Sequence, residues 1–234
     1  MTHIRHETAG DTLVLTLDRP PLNLIDRDAV DAITAAARAA AADAPKGGVV
    51  LTGAGRAFSA GVDTRAFAGY DAQQRGEFIH AITAMTAALL AIPVPLIAAV
   101  NGHALGGGFI LMLTADYRIV TSDDTVRLGL PEAQAGVPFP AGPAAIMRAE
   151  LPPGLLRRLA LTSRPAAADD LRAAGVIDDI AAPDGLTAAA AAAAAALAAQ
   201  PAFAAVKRQV RGALADEVAS LAAAPGDPFL AAFL

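Results

Sequence analysis

The sequence has no cysteine and no tryptophan, and only 4% of its residues are aromatic. Without thiols there are no disulfides, no thiolate nucleophile, and no Cys-ligated zinc or iron–sulfur centre. Charge is sparse too: 18% of residues are charged, with a net charge of -5. A surface that tracks nucleic-acid phosphates needs clustered positive charge, so no nucleic-acid partner is expected. One stretch free of Asp, Glu, Lys and Arg, Phe78 to Ala115, is interrupted by Pro93, Pro95, Asn101, Gly102 and Gly106 to Gly108. A membrane span needs about 20 consecutive apolar residues, so no membrane association is expected. The polar start, Met1 to Glu7, has no apolar run of the signal-peptide kind, and a soluble, cytoplasmic protein is expected.

What is present is a chain of 234 residues, 55% of them apolar, enough for a sizeable core and too apolar for global disorder. Thr12 to Leu17 alternates with period two, the pattern of a half-buried strand. Asp26 is placed to cap a helix whose Val30, Ile33 and Ala37 share one face. Gly48 to Thr52 reads as a strand, about Ala72 to Ala91 as a helix with Phe78, Ile82, Met85 and Leu89 along one side, and Pro93 to Val100 as a buried strand. Phe109 to Ala115 reads as an apolar helix, and Tyr117 to Val120 and Thr125 to Leu128 as strands around the turn Ser122-Asp123-Asp124. The remainder reads as helical; the nine alanines Ala188 to Ala196 are low in complexity, yet Ala is the best helix former. Phe229, Leu230, Phe233 and Leu234 would be exposed apolar groups without a partner.

Three loops follow strands and carry the chemistry-bearing residues. In Gly53 to Asp63 small residues allow a ligand to approach backbone N–H groups, although a tight turn that merely packs has the same composition. Phe58 stands where a dinucleotide fingerprint needs its third glycine, and Ala57 stands where a nucleophile elbow needs one, so both are rejected. Asn101 to Gly108 leads into a helix, whose start offers free N–H groups to a phosphate or a developing oxyanion. No Gly-Lys-Ser/Thr follows, which excludes a Walker loop, and His103 reads as structural. In the third loop, Gly129 to Pro138, Glu132 sits in a mostly apolar stretch; it is either a solvated surface group or a buried carboxyl with a raised pKa, fit for proton transfer.

Together the stretches Gly53 to Asp63, Pro95 to Gly108 and Ala115 to Gly136 resemble the enoyl-CoA hydratase/isomerase (crotonase) family, with weaker similarity from Leu13 through Asn23 and on to Lys207. The resemblance implies an α/β fold, a crotonase-like spiral of ββα units with a helical C-terminal region, assembled as a homotrimer or homohexamer. Residues 1–195 would form the acyl-CoA core and 196–234 a short helical segment for oligomerisation. It further implies that the backbone N–H groups of Val62 and Gly107 form an oxyanion hole for an acyl-CoA thioester, with Gly107 kept small by the acyl group. Segment Ala60 to Arg65, which includes Asp63 and Thr64, matches the part that lines the coenzyme A pocket. No metal or redox cofactor is implied; coenzyme A arrives as part of the substrate.

Hydratases of this family use two glutamates. Glu132 matches the second, but Ile110 stands at the position of the first. A positioned acid or base contributes about 10²–10⁴ in rate, so a chain with one carboxylate favours double-bond isomerisation over water addition. The alternatives are a 2-enoyl-CoA hydratase with Asp63 or Glu150 as an atypical second acid, a thioester hydrolase, and a non-catalytic acyl-CoA binder. The coenzyme A phosphates call for local positive charge; Arg19, Arg56 and Arg65 are candidates, with Lys207 and Arg208 reaching across a subunit boundary.

Overall fold

The computed structural model describes residues 3–234. Strands β1 (Ile4–Ala9) and β2 (Thr12–Leu17) form an antiparallel hairpin, and α1 (Arg27–Ala42) follows. The Asp26 carboxylate accepts the Ala29 N–H at 3.0 Å, as a cap should, and Val30, Ile33 and Ala37 are buried. Three further units repeat one plan. Strands β3 (Val49–Gly53) and β4 (Ala57–Ser59) precede helices α2 (Thr64–Ala68) and α3 (Ala72–Leu90). Strands β5 (Leu96–Val100) and β6 (His103–Leu105) precede α4 (Gly107–Thr114), and β7 (Tyr117–Thr121) and β8 (Leu128–Gly129) precede α5 (Glu132–Ala135).

In each unit the first strand joins a large sheet and the second a small one. The large sheet runs β1-β2-β3-β5-β7-β9, all parallel after the first hairpin, and the small sheet runs β4-β6-β8, also parallel. Each unit therefore adds one neighbour to both sheets, which generates the spiral. The chain continues through α6 (Ala141–Glu150), α7 (Pro153–Thr162), α8 (Ala168–Ala173), β9 (Asp179–Ala181), α9 (Leu186–Ala198) and α10 (Phe203–Ala223).

The central strands are buried on both faces, which is why they read as continuous apolar runs. On one face Val14, Val50, Ile97 and Ile119 meet Leu186, Ala190 and Ala194 of α9. The alanine tract is thus a helix whose small side chains let it lie close against the sheet; the Ala194 methyl comes within 3.3 Å of where a Cβ on Gly48 would stand. The main core fills the other face, under α1, α3, α4 and α6. A buried charge network ties α10 to this body. Asp116 accepts Lys207 at 2.6 Å and Arg211 at 2.9 Å, while Glu150 binds Arg211 and Arg118.

Several expectations change. Strand β1 forms in the polar start, and the loops expected before Gly61 and Gly106 contain β4 and β6. Thr125 lies in a turn, because Asp123 accepts both its N–H and its hydroxyl, so only Leu128–Gly129 is strand. The region expected to be wholly helical contains β9, which pairs with β7. The 195/196 division falls inside α9, and α10 packs against α3 and α6 of the same chain. Among the described residues, no single helix is long and apolar enough to cross a membrane.

Candidate active site

The three parallel strands of the small sheet end at one edge, and each hands over one functional residue just beyond its last residue. Val62 follows β4, Gly107 follows β6 and Glu132 follows β8. Residues remote in sequence converge because their strands are neighbours, with β6 in the middle.

Gly61 and Gly106 shape the hole. Gly61 has φ of +88°, and a Cβ there would lie 2.7 Å from the Leu105 carbonyl oxygen and 3.0 Å from the Gly107 nitrogen. The first loop therefore presses its backbone against the second, which only glycine permits. The Ile25 N–H donates to the Gly61 carbonyl and the Asp63 N–H to the Ile25 carbonyl, each at 2.9 Å. That short bridge pairs the residues either side of Val62 and leaves its own N–H turned the other way. Among the described residues, neither the Val62 nor the Gly107 N–H donates a hydrogen bond within the chain. Two free N–H groups at adjacent backbone segments, one of them at the start of α4, are what a developing oxyanion requires. A Cβ on Gly107 would lie 3.4 Å from Ile25 Cδ1 and 3.7 Å from Val62 Cγ2. The surrounding protein does not itself forbid a methyl there, so packing alone does not require the smallness expected at Gly107.

Glu132 stands beside this hole. Its Oε1 would be 2.8 Å from a Cβ on Gly106, whose φ of +54° turns the loop beneath the carboxylate. Its Oε2 is buried with no hydrogen-bond partner among the described residues. Burial, opposed by its own backbone N–H, pushes the Glu132 carboxyl up to about 7. A group half-ionised near neutrality both accepts and returns a proton readily.

A cavity of about 180 Å³ opens from these groups. Ala60, Val62, Thr64, Gly107, Ile110 and Glu132 line it, as do Ile25, Phe67, Ile79, Ile82, Met85, Phe139 and Phe233. Glu132 is the only titratable side chain among the lining residues. Ile110 is 2% exposed and gives the cavity wall hydrocarbon on α4.

Asp63 and Arg65 do not line the cavity. Asp63 caps α2, accepting the N–H groups of Arg65 and Ala66 at 3.1 Å, and pairs with Arg19 at 2.9 Å. The Ala66 N–H and the Arg19 guanidinium hold its carboxyl below the usual range, so it is a fixed anion and not a spare acid. Glu150 is likewise committed to Arg118 and Arg211, away from the cavity. Arg19 is consumed by Asp26 and Asp63. Lys207 is buried on Asp116 and does not reach out from α10 as expected, whereas Arg208 is exposed and pairs with Asp216 on its own helix. Arg56 and Arg65 are exposed, with no carboxylate within ion-pair distance among the described residues. His103 accepts the Arg127 N–H through Nδ1 at 3.0 Å, the structural role expected of it.

Sequence reasoning missed most of the apolar lining. The α3 stripe was legible as core, but nothing in its periodicity says that part of the core is hollow. Phe233, expected exposed, is 6% exposed and faces the cavity, whereas Phe229 and Leu234 are exposed. Among the described residues no three His, Cys, Asp or Glu side chains are grouped to hold a metal.

Comparison with known proteins identifies the family. The family description "Enoyl-CoA hydratase/isomerase" matches residues 7–225. The chain is 36% identical over 172 residues to the probable enoyl-CoA hydratase EchA17 of Mycobacterium bovis, a match covering 73% of this chain and 65% of that relative's length. It is 30% identical over 219 residues to enoyl-CoA delta isomerase 3 of Arabidopsis thaliana, covering 91% and 92%. The solved structure of an enoyl-CoA isomerase from Mycobacterium tuberculosis superposes with a TM-score of 0.86 at 24% identity, covering 99% of this chain and 98% of that one. With a family match over residues 7–225 and a 30% identical relative spanning nearly the whole chain, the chain belongs to the enoyl-CoA hydratase/isomerase family.

Proposed function

We propose that the protein is an acyl-CoA enzyme that moves a double bond from the 3- to the 2-position, with Glu132 as the single proton carrier. The observation that carries this is the composition of the cavity wall, where among the described residues Glu132 is the only titratable side chain and Ile110 stands where the resemblance puts the first glutamate. Glu132 as carboxylate takes a proton from C2 of a 3-enoyl thioester. The electrons of the broken C–H bond delocalise onto the thioester oxygen, where the Val62 and Gly107 N–H groups hold the charge. Glu132 then returns the same proton to C4, leaving the 2-enoyl thioester and the original carboxylate. No water enters, and none has a second carboxylate to activate it. One hydrogen-bond donor of this kind is worth about 2.7–4 kcal/mol, or about 10²–10³ in rate.

The exposed Arg65, next to the lining residue Thr64, and Arg56 are suited to the coenzyme A phosphates. Assembly as a trimer or a pair of trimers belongs to the same proposal, and sedimentation velocity reads it. The activity is tested by mixing purified protein with a 3-enoyl-CoA and separately with a 2-enoyl-CoA. Conversion of the first, with water addition to the second at least about 10²-fold slower, is expected. Fast water addition overturns the preference for isomerisation, thiol release reassigns the protein as a hydrolase, and tight binding without turnover makes it a binder.

A further inference from the structure

We infer that Phe233 is a specificity-determining residue that sets the acyl-chain length the cavity accepts, held in place by a C-terminal strap across α3 and α6. This rests on the cavity being an acyl site. The strap is anchored twice. Asp227 accepts the Ala141 N–H at 2.8 Å, at the first residue of α6, and also the Phe229 N–H at 2.8 Å. Beyond it, the Leu230 methyls lie 3.6 and 3.7 Å from where a Cβ on Gly76 would stand, so the chain lies directly on the first turns of α3. A one-turn 3₁₀ helix, Leu230–Ala232, then delivers Phe233 into the cavity wall, 6% exposed, while its neighbours Phe229 and Leu234 stay exposed.

The wall that Phe233 joins is not the catalytic one. Val62, Gly107 and Glu132 come from the ends of the small sheet, whereas Ile79 and Ile82 come from α3 and Pro143 from α6, the helices that the strap crosses. The polar head of the substrate has to sit at the first wall, so its hydrocarbon tail points at the second. Prolines 138, 140 and 143 stiffen that part of the lining and leave it little freedom to yield. A tail that lengthens therefore gains hydrophobic contact until it meets the Phe233 ring, and then stops gaining.

The test is a homologous series of saturated acyl-CoAs, read by calorimetric Kd, and of 3-enoyl-CoAs, read by kcat/KM. Each added methylene should tighten binding about fourfold, the equivalent of about 0.8 kcal/mol, up to a break point. Phe233→Ala should move the break to chains several carbons longer, and Phe233→Trp should move it shorter, with circular dichroism confirming that both variants fold. Opposite shifts in Kd support the inference even if no 3-enoyl-CoA turns over, in which case only the isomerase assignment fails. A break point that stays where it is in both folded variants, or a wild-type protein that binds no acyl-CoA of any length, overturns it.

Discussion

Replacing Glu132 with Gln tests both the chemistry and the burial on which it depends. The Glu132 carboxyl ionises near 7 in the folded protein, against 4.5 when free, because burial disfavours the charge. Its effect on stability has a definite sign. Below about 4.5 the group is neutral in both states and costs nothing. As the pH rises from there to about 7, the unfolded chain ionises while the folded one resists, so folding becomes less favourable by about 3 kcal/mol in total. Gln cannot ionise and removes this loss. Its amide meets the same partnerless surroundings as Oε2, a penalty of about 1–3 kcal/mol that does not vary with pH. The informative quantity is therefore the change with pH in the stability difference between variant and wild type, in which that penalty cancels. Urea denaturation of both proteins at pH 4.5, 6 and 8 should show the difference moving in favour of Gln by about 3 kcal/mol across the range. In the same preparation isomerisation should fall by about 10²–10⁴. Wild-type kcat/KM should drop tenfold per pH unit below an apparent pKa near 7, since the carboxylate form is the base. Parallel stability curves, or a wild-type rate flat between pH 5 and 8, would refute the raised pKa and with it the acid–base role.

Other perturbations separate scaffold from site. Gly108→Ala would place its Cβ 2.0 Å from the Ser59 carbonyl oxygen, so it should cost about 3 kcal/mol or more and lower Tm by about 6–12 °C. Gly107→Ala meets nothing closer than 3.4 Å and should melt near the wild type, yet lose about 10-fold to 10²-fold in kcat/KM if the methyl crowds a thioester bound at the Gly107 N–H. Asp116→Ala leaves Lys207 a buried charge without a carboxylate and Arg211 with Glu150 alone, and should cost about 3–5 kcal/mol in urea denaturation without changing the residues of the cavity. Ile110→Glu puts a second carboxyl on the cavity wall; the ratio of water addition to isomerisation, followed by enoyl-thioester absorbance, should rise at least about tenfold, with stability falling as pH rises.

Much of the fold was legible where one local rule dominates. Asp26 caps α1 as its position before a periodic helix implied, and β2 has the bounds that its alternation marked. The short strands β4 and β6 were not, because three residues carry no period and are strands only by virtue of their neighbours in the small sheet. Charges failed as guides to the site for a related reason. Arg19, Asp63, Glu150 and Lys207 each had the right chemistry for binding or catalysis, but each is neutralised by a partner far away in sequence, Glu150 by Arg211 for example. Glu132 was distinguishable because its sequence neighbours are mostly apolar and supply no partner, and the fold supplies none either.

The same repeat that hides β4 and β6 also frames how few residues the proposed reaction uses. Parallel neighbours ending at one edge bring Val62, Gly107 and Glu132 together whatever their side chains are, since the hole uses only backbone N–H groups. Position 110 lies three residues beyond Gly107 on α4, on the helix face that already looks into the cavity. Its side chain can therefore change from a carboxyl to a hydrocarbon without moving an oxyanion donor or the Glu132 acid. With Ile there, a 2-enoyl thioester finds the hole and one proton carrier but nothing to activate water, while a 3-enoyl thioester needs only what remains. Under the proposed isomerisation, the choice between two reactions that share an enolate falls to a buried side chain that touches neither the thioester oxygen nor the proton in flight.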